Sequence, residues 1–183
     1  MKKEFIRLSA ILCIITLAAA LVLAGVNKIT APAIEQAEVK AAKEAMYKIL
    51  PDADDFRDSI TEENLKVAIK DGRVAGFCAK VTSNGYGGEI VMMVGVDTNM
   101  LVQGIEILSH SETAGLGAKI TEDKFKDQFR DKLIEGLSVT KTGPASNDRF
   151  VAVTGATISS RAVQKGIENA KNMIVNELKE GTK

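Results

Sequence analysis

Four hydroxyls crowd into the eight residues Val153–Ser160, "VTGATISS": Thr154, Thr157, Ser159 and Ser160. Gly155 and Ala156 separate the two threonines, and an apolar pattern of helical period begins at Ile158. This arrangement puts nearly bare backbone where a strand hands over to a helix. The first-turn N–H groups of such a helix have no intrahelical partner and sit at the positive end of its dipole. That is a place for a phosphate, and the four hydroxyls would add donors around it. A plainer reading fits the same residues: Thr157 or Ser159 accepts from the first turn as a helix cap. Spacing alone favours the cap.

Two further loops share this small-residue character. "ETAGLGAK" (Glu112 to Lys119) brackets Leu116 between Gly115 and Gly117, with Glu112 and Thr113 just upstream. Such glycines let backbone approach a ligand closely, while Leu116 could pack on a flat ring and Thr113 could bond to it. "NGYGG" (Asn84 to Gly88) offers the aromatic face of Tyr86. Each is an ordinary turn if taken alone. Together with a phosphate site they suggest a planar phosphorylated ligand.

Other chemistries lack their residues. The one histidine, His110, excludes a His-based metal cluster, and the chain has neither a Gly-x-Ser-x-Gly elbow nor a Gly-Lys-Ser/Thr phosphate loop. Ser109, His110, Ser111 and Glu112 are neighbours in sequence, which does not make a catalytic triad. Two cysteines, Cys13 and Cys78, cannot supply a disulfide framework or a Cys-based cluster.

The elements that must position these loops are strands and one long helix. "LKVAIK" (Leu65 to Lys70), a turn at Asp71-Gly72 and "RVAGFCAKVT" (Arg73 to Thr82) predict a hairpin. "EIVMMVGVD" (Glu89 to Asp97) and "LVQGIEIL" (Leu101 to Leu108) predict a second, turning at Thr98-Asn99. A helix is expected from Asp123 to about Ile134, a short strand in Ser138 to Gly143, and a polar loop with Pro144, Ser146, Asn147 and Asp148. A last strand is expected over Phe150 to Val153. Ala162, Val163, Ile167, Ala170, Met173, Ile174 and Leu178 then mark an amphipathic helix of about six turns. Asp52 to Glu63 reads as an acidic loop; before it the helical pattern continues beyond the span, with Pro32 suited to a first-turn position, and runs to Pro51.

The N-terminus reads differently. Leu8 to Val26 carries no charge, and its nineteen residues cover about 28 Å at helical rise, close to the apolar thickness of a bilayer. Lys2, Lys3 and Arg7 against Glu4 place the short tail in the cytoplasm and the remainder across the membrane. A cleaved signal peptide, with Val22-x-Ala24 as its cleavage site, is the other reading. The apolar run is longer than signal peptides use, which favours an uncleaved anchor. Of the 24 basic and 24 acidic residues, three basic and one acidic precede the span, leaving the rest at net −2. With no clustered positive face, nucleic-acid binding is not expected.

The expected architecture is therefore α+β. It comprises a tail (1–7), one transmembrane helix (8–26), a membrane-proximal helix and linker (27–60), and a domain (61–183) with a mainly antiparallel sheet and flanking helices.

"GYGGEIVMMVGVD", "ILSHSETAGLG" and "TGATISS", in this order behind an anchor, resemble the FMN-binding domain family. Within it the chain looks like the G subunits of the Rnf electron-transport complexes (RnfG/RsxG). The related C subunit of the sodium-pumping NADH:quinone reductase shares the motifs. The resemblance covers nearly the whole chain. It implies FMN esterified through its phosphate to Thr157 by a separate flavin transferase (ApbE-type) that uses FAD. Thr154, Gly155, Ala156 and Ser159 would complete that motif, and Glu112, Thr113, Leu116, Gly117 and Tyr86 would lie by the flavin. Lys141 would approach the ring or phosphate. It further implies an electron relay in the cell membrane, with the flavin domain extracytoplasmic and the other Rnf subunits as partners, rather than a self-contained enzyme. An anchored FMN- or phosphate-binding module outside that complex is the alternative. Two positions depart from the family pattern: Val151 stands where an Asp is usual six residues before the acceptor, and Ala114 replaces the loop proline.

Overall fold

Alternation of apolar residues builds the sheet that carries the domain. The computed structural model describes residues 2–143, 146 and 148–180. It falls into two compact units, the first ending at Lys40 and the second beginning at Ala41.

The first unit is helical. It belongs to α1 (Lys2–Ile49), whose apolar stretch has a mean hydropathy of 2.6 and is nowhere buried. Among the described residues this is the one helix long and apolar enough to cross a membrane. Thr16 and Thr30 donate their hydroxyls to the carbonyls of Leu12 and Val26, both at 3.0 Å, so neither is left unpaired in an apolar setting. The helix runs on through Pro32 to Ile49. A proline removes one backbone bond and crowds the preceding turn, but it does not require the chain to leave the helix.

In the second unit, strands β1 (Asp55–Asp58), β2 (Leu65–Lys70), β3 (Arg73–Asn84), β4 (Glu89–Asp97), β5 (Leu101–His110) and β6 (Lys132–Leu133) form an antiparallel sheet in sequence order. Asp71 and Gly72 both take positive φ, 51° and 75°, as the two-residue turn between β2 and β3 requires. The turn between β4 and β5 is held by Asp97, whose Oδ1 accepts the N–H groups of Asn99 (2.8 Å) and Leu101 (2.9 Å). Beyond the sheet come α2 (Asp123–Lys126), a small parallel pair of β7 (Ser138–Thr140) and β8 (Arg149–Val151), and α3 (Thr157–Glu180). The polar loop expected around Pro144 and Asn147 lies partly outside the described residues.

The two faces of the sheet bury different partners. Phe77, Ala79 and Val81 of β3, with Ile90, Met92, Val94 and Val96 of β4, meet Val163, Ile167, Ala170 and Ile174 of α3. The intervening Cys78 and Met93 face Ala45 and Ile49 at the end of α1. That second face is flat because Gly95 and Gly104 pair across β4 and β5 beneath Ile49. A Cβ on Gly95 would collide with Ile49 Cγ2.

Two expectations are corrected. Residues 52–63 read as a loop in sequence, but 55–58 pair with 66–69 as β1. Its one apolar side chain, Phe56, packs edge-on against Tyr47 at 4.9 Å, so the strand carries almost no period of its own. The helix expected from Asp123 to Ile134 stops at Lys126, followed by a 3-10 turn over Asp127–Phe129. Phe125 and Phe129 do share the core with Phe150, at 6.0 and 4.6 Å. The open edge of β5 then captures the chain: Asp131 N–H donates to Val102 O (2.8 Å) and Ile134 N–H to Met100 O (3.0 Å).

The far end of α3 is fastened by Glu177. Its carboxylate accepts from the hydroxyls of Ser59 (2.6 Å) and Thr61 (2.7 Å) and from the N–H groups of Ile60 and Thr61. Burial works against its charge, and these bonds outweigh it, holding the carboxyl below its ordinary 4.5. Its contribution is therefore complete above that value and is lost as pH falls through the lower folded pKa. Glu177→Gln should cost about 1–3 kcal/mol at neutral pH and flatten the acid limb of stability, read from urea midpoints of the detergent-solubilised chain between neutral and acid pH. Gly95→Ala should cost about 1–3 kcal/mol by overpacking. Combined with Ile49→Ala it should cost less than the two changes summed, in a double-mutant cycle of thermal unfolding.

Candidate functional site

The start of α3 offers unpaired backbone donors. Ser160 N–H donates to Ala156 O at 3.0 Å, which makes Ala156 the first carbonyl of the helix. The N–H groups of Thr157, Ile158 and Ser159 have no acceptor among the described residues. They lie at the positive end of a 24-residue helix. Gly155 turns the chain into that helix with φ +78°, a conformation that favours glycine. A Cβ there would stand 3.2 Å from Leu116 Cδ2, so the 112–117 loop closes directly over the turn.

The four hydroxyls of this stretch have separate fates. Ser160 Oγ donates to Ala156 O and accepts Val153 N–H, both at 3.0 Å, stitching the turn to the helix. Ser159 Oγ donates to Glu112 Oε2 at 2.5 Å. Neither accepts from a first-turn N–H, so the cap expected of Ser159 does not form: Ser159 is spent on the distant carboxylate of Glu112, and Ser160 on the turn just before it. Thr154 and Thr157 make no side-chain hydrogen bond among the described residues.

Glu112 is buried and binds protein groups with both oxygens. Oε1 accepts the N–H groups of Tyr86 (2.8 Å) and Gly87 (3.0 Å), opposite the bond from Ser159. Its own N–H donates to His110 Nδ1 at 3.1 Å. Space around the carboxylate is tight. A Cβ on Gly85 or Gly117 would run into it, and one on Gly117 would also stand 2.8 Å from Ser159 Oγ.

A cleft of about 460 Å³ opens between these loops. Tyr86, Thr113 and Leu116 line one side, above Glu112 and Gly117; Gly155, Ala156, Thr157 and Ser159 line the other. Nine of the residues singled out in the sequence thus share one cavity. Thr154 faces a neighbouring cleft of about 500 Å³ with Val151, Lys119 and Lys124. Val151 is held there by Gln128, whose Oε1 accepts Val151 N–H (2.8 Å) and whose Nε2 donates to its carbonyl. Lys141 is exposed in the turn after β7 and lines neither cleft. Ile158, not singled out in the sequence, is half-exposed and lines the cleft with Leu116. An exposed apolar residue in the first turn of an otherwise amphipathic helix is its only signal.

The donors and shape fit a phosphorylated planar molecule: three free N–H groups and a hydroxyl for the phosphate, and Leu116, Ile158 and Tyr86 as apolar surfaces. Elsewhere, Cys78 is fully buried, and burial pushes its thiol up to about 12, so it stays protonated.

Residues 85–172 match the FMN-binding domain family, and residues 1–49 match the RnfG N-terminal region. The G subunit of the proton-translocating ferredoxin:NAD(+) oxidoreductase complex of Clostridium ljungdahlii is 34% identical, covering 84% of this chain and 83% of that protein. The G subunit of the Na(+)-translocating complex of Acetobacterium woodii is 35% identical, covering 90% and 89%. Among solved structures, the C subunit of the Na(+)-translocating NADH-quinone reductase of Parabacteroides distasonis is similar, with a TM-score of 0.54 and 26% identity. That likeness covers 62% of this chain and 61% of that one. The chain belongs to the family of Rnf-complex G subunits and carries an FMN-binding domain.

Proposed function

We propose that the chain is a membrane-anchored electron-transfer subunit of an ion-translocating ferredoxin:NAD oxidoreductase complex, with FMN attached as a phosphoester of Thr157. One observation carries this assignment. The hydroxyls of Tyr86, Thr113 and Thr157 all line the cleft without a hydrogen bond among the described residues, and that of Thr157 is the one beside three free N–H groups at the positive end of α3. Thr154 is also free but faces the neighbouring cleft.

The flavin supplies one-electron redox chemistry when bound, and the protein supplies binding, orientation and electrostatics. The Thr157, Ile158 and Ser159 amides would hold the phosphate. The half-exposed Leu116 and Ile158 would pack against an apolar ring, while Tyr86 stands exposed at the rim. A covalent tether would suit a domain outside the cytoplasm, where a lost cofactor is not replaced.

In this reading α1 anchors the chain with the N-terminal tail in the cytoplasm, following its positive charge. Residues 61–183 carry the flavin. A flavin transferase installs it, and the other subunits of the complex donate and accept the electron. In native membranes Thr157→Ala should abolish the flavin fluorescence that follows the chain on a denaturing gel, and Thr154→Ala should retain most of it. Fluorescent Thr157→Ala chain would refute the assignment.

A further inference from the structure

The best-connected side chain in the cleft is one that a ligand barely reaches. Glu112 is 8% exposed, and its three hydrogen bonds all go to protein groups. Those groups belong to two separate parts of the chain, the turn after β3 and the first turn of α3, while Glu112 itself stands in the loop after β5. Among the described residues, no backbone hydrogen bond joins the turn after β3 to α3.

We propose that Glu112 is the positioning residue of the cleft. Its carboxylate spans the gap between the Tyr86–Gly87 amides and Ser159, locking three loops into one wall. By engaging Ser159 it also leaves Thr157 as the open hydroxyl of the first turn. The wall depends on the length of the side chain. Glycine at 85 and 117 lets both loops close onto the carboxylate, and a Cβ at either position would push them apart. The second part of the proposal, on Thr157, rests on the flavin attachment proposed above; the first does not.

Length and charge can be separated. Glu112→Gln keeps the reach: its oxygen accepts both amides, and its NH2 donates to Ser159 Oγ, reversing that bond without breaking it. Glu112→Asp keeps the charge and loses the reach. Glu112→Ala loses both. The full chain, produced without flavin transferase and held in detergent, is followed by amide hydrogen exchange at Tyr86 and Gly87, with Val94 and Ile105 reporting that the sheet is intact.

Positioning by span predicts exchange about tenfold faster at Tyr86 and Gly87 in the Asp and Ala variants, with the Gln variant close to the parent. Covalent flavin, measured on chains produced with the transferase, should follow the same order, with Gln restoring what Ala loses. A Gln variant as impaired as Ala, beside an unimpaired Asp variant, would show that charge is what matters and overturn the proposal. So would unchanged exchange or unchanged flavin loading in the Ala variant. If the parent itself carries no covalent flavin while the exchange order holds, the positioning role stands and the Thr157 attachment falls.

Discussion

Antiparallel pairing decides where the site can be. β3 and β5 finish at the same end of the sheet, because β4 runs back between them. The register places Ile90 opposite His110, so the Gly85–Gly88 turn and the loop after His110 leave side by side. Packing of α3 across β3 and β4 then sets its first turn at that end. Gly166 brings the helix close to Met92, where a Cβ would stand 2.7 Å from Cε. Three segments distant in sequence become neighbours because the strands allow no other arrangement, and a single carboxylate fastens them.

The parts of this plan governed by local period could be read in the sequence. β2 and β4 fall on the residues where alternation placed them, and the Asp71-Gly72 turn has the dihedral angles its composition implied. α3 begins one residue before its apolar period. The failures have a common cause, which is that the deciding partner lies elsewhere in the chain. β1 exists because β2 offers an edge, and the chain after Phe129 turns because β5 offers another.

The cleft shows the same division. The three small-residue loops that meet there stood out together in the sequence, although each alone reads as an ordinary turn. What each hydroxyl does was not legible. Ser159 bonds a carboxylate 47 positions away, and Glu112 reaches amides 25 and 26 positions back. A capping pattern and a tertiary clasp use the same letters. Only the fold distinguishes a serine that serves its own helix from one that serves a neighbouring loop.

α3 is fastened at both ends by glutamates, Glu112 from outside at the first turn and Glu177 from within near the last. Eighteen residues separate Ser159 from Glu177, or about 27 Å of helix. Among the described residues the two fastenings share no hydrogen-bond partner, so each can change without disturbing the other. Losing the Glu177 fastening therefore frees the last turns and the segment they hold while the first turn keeps its place, whereas losing Glu112 loosens the cleft with the far end of the helix still held.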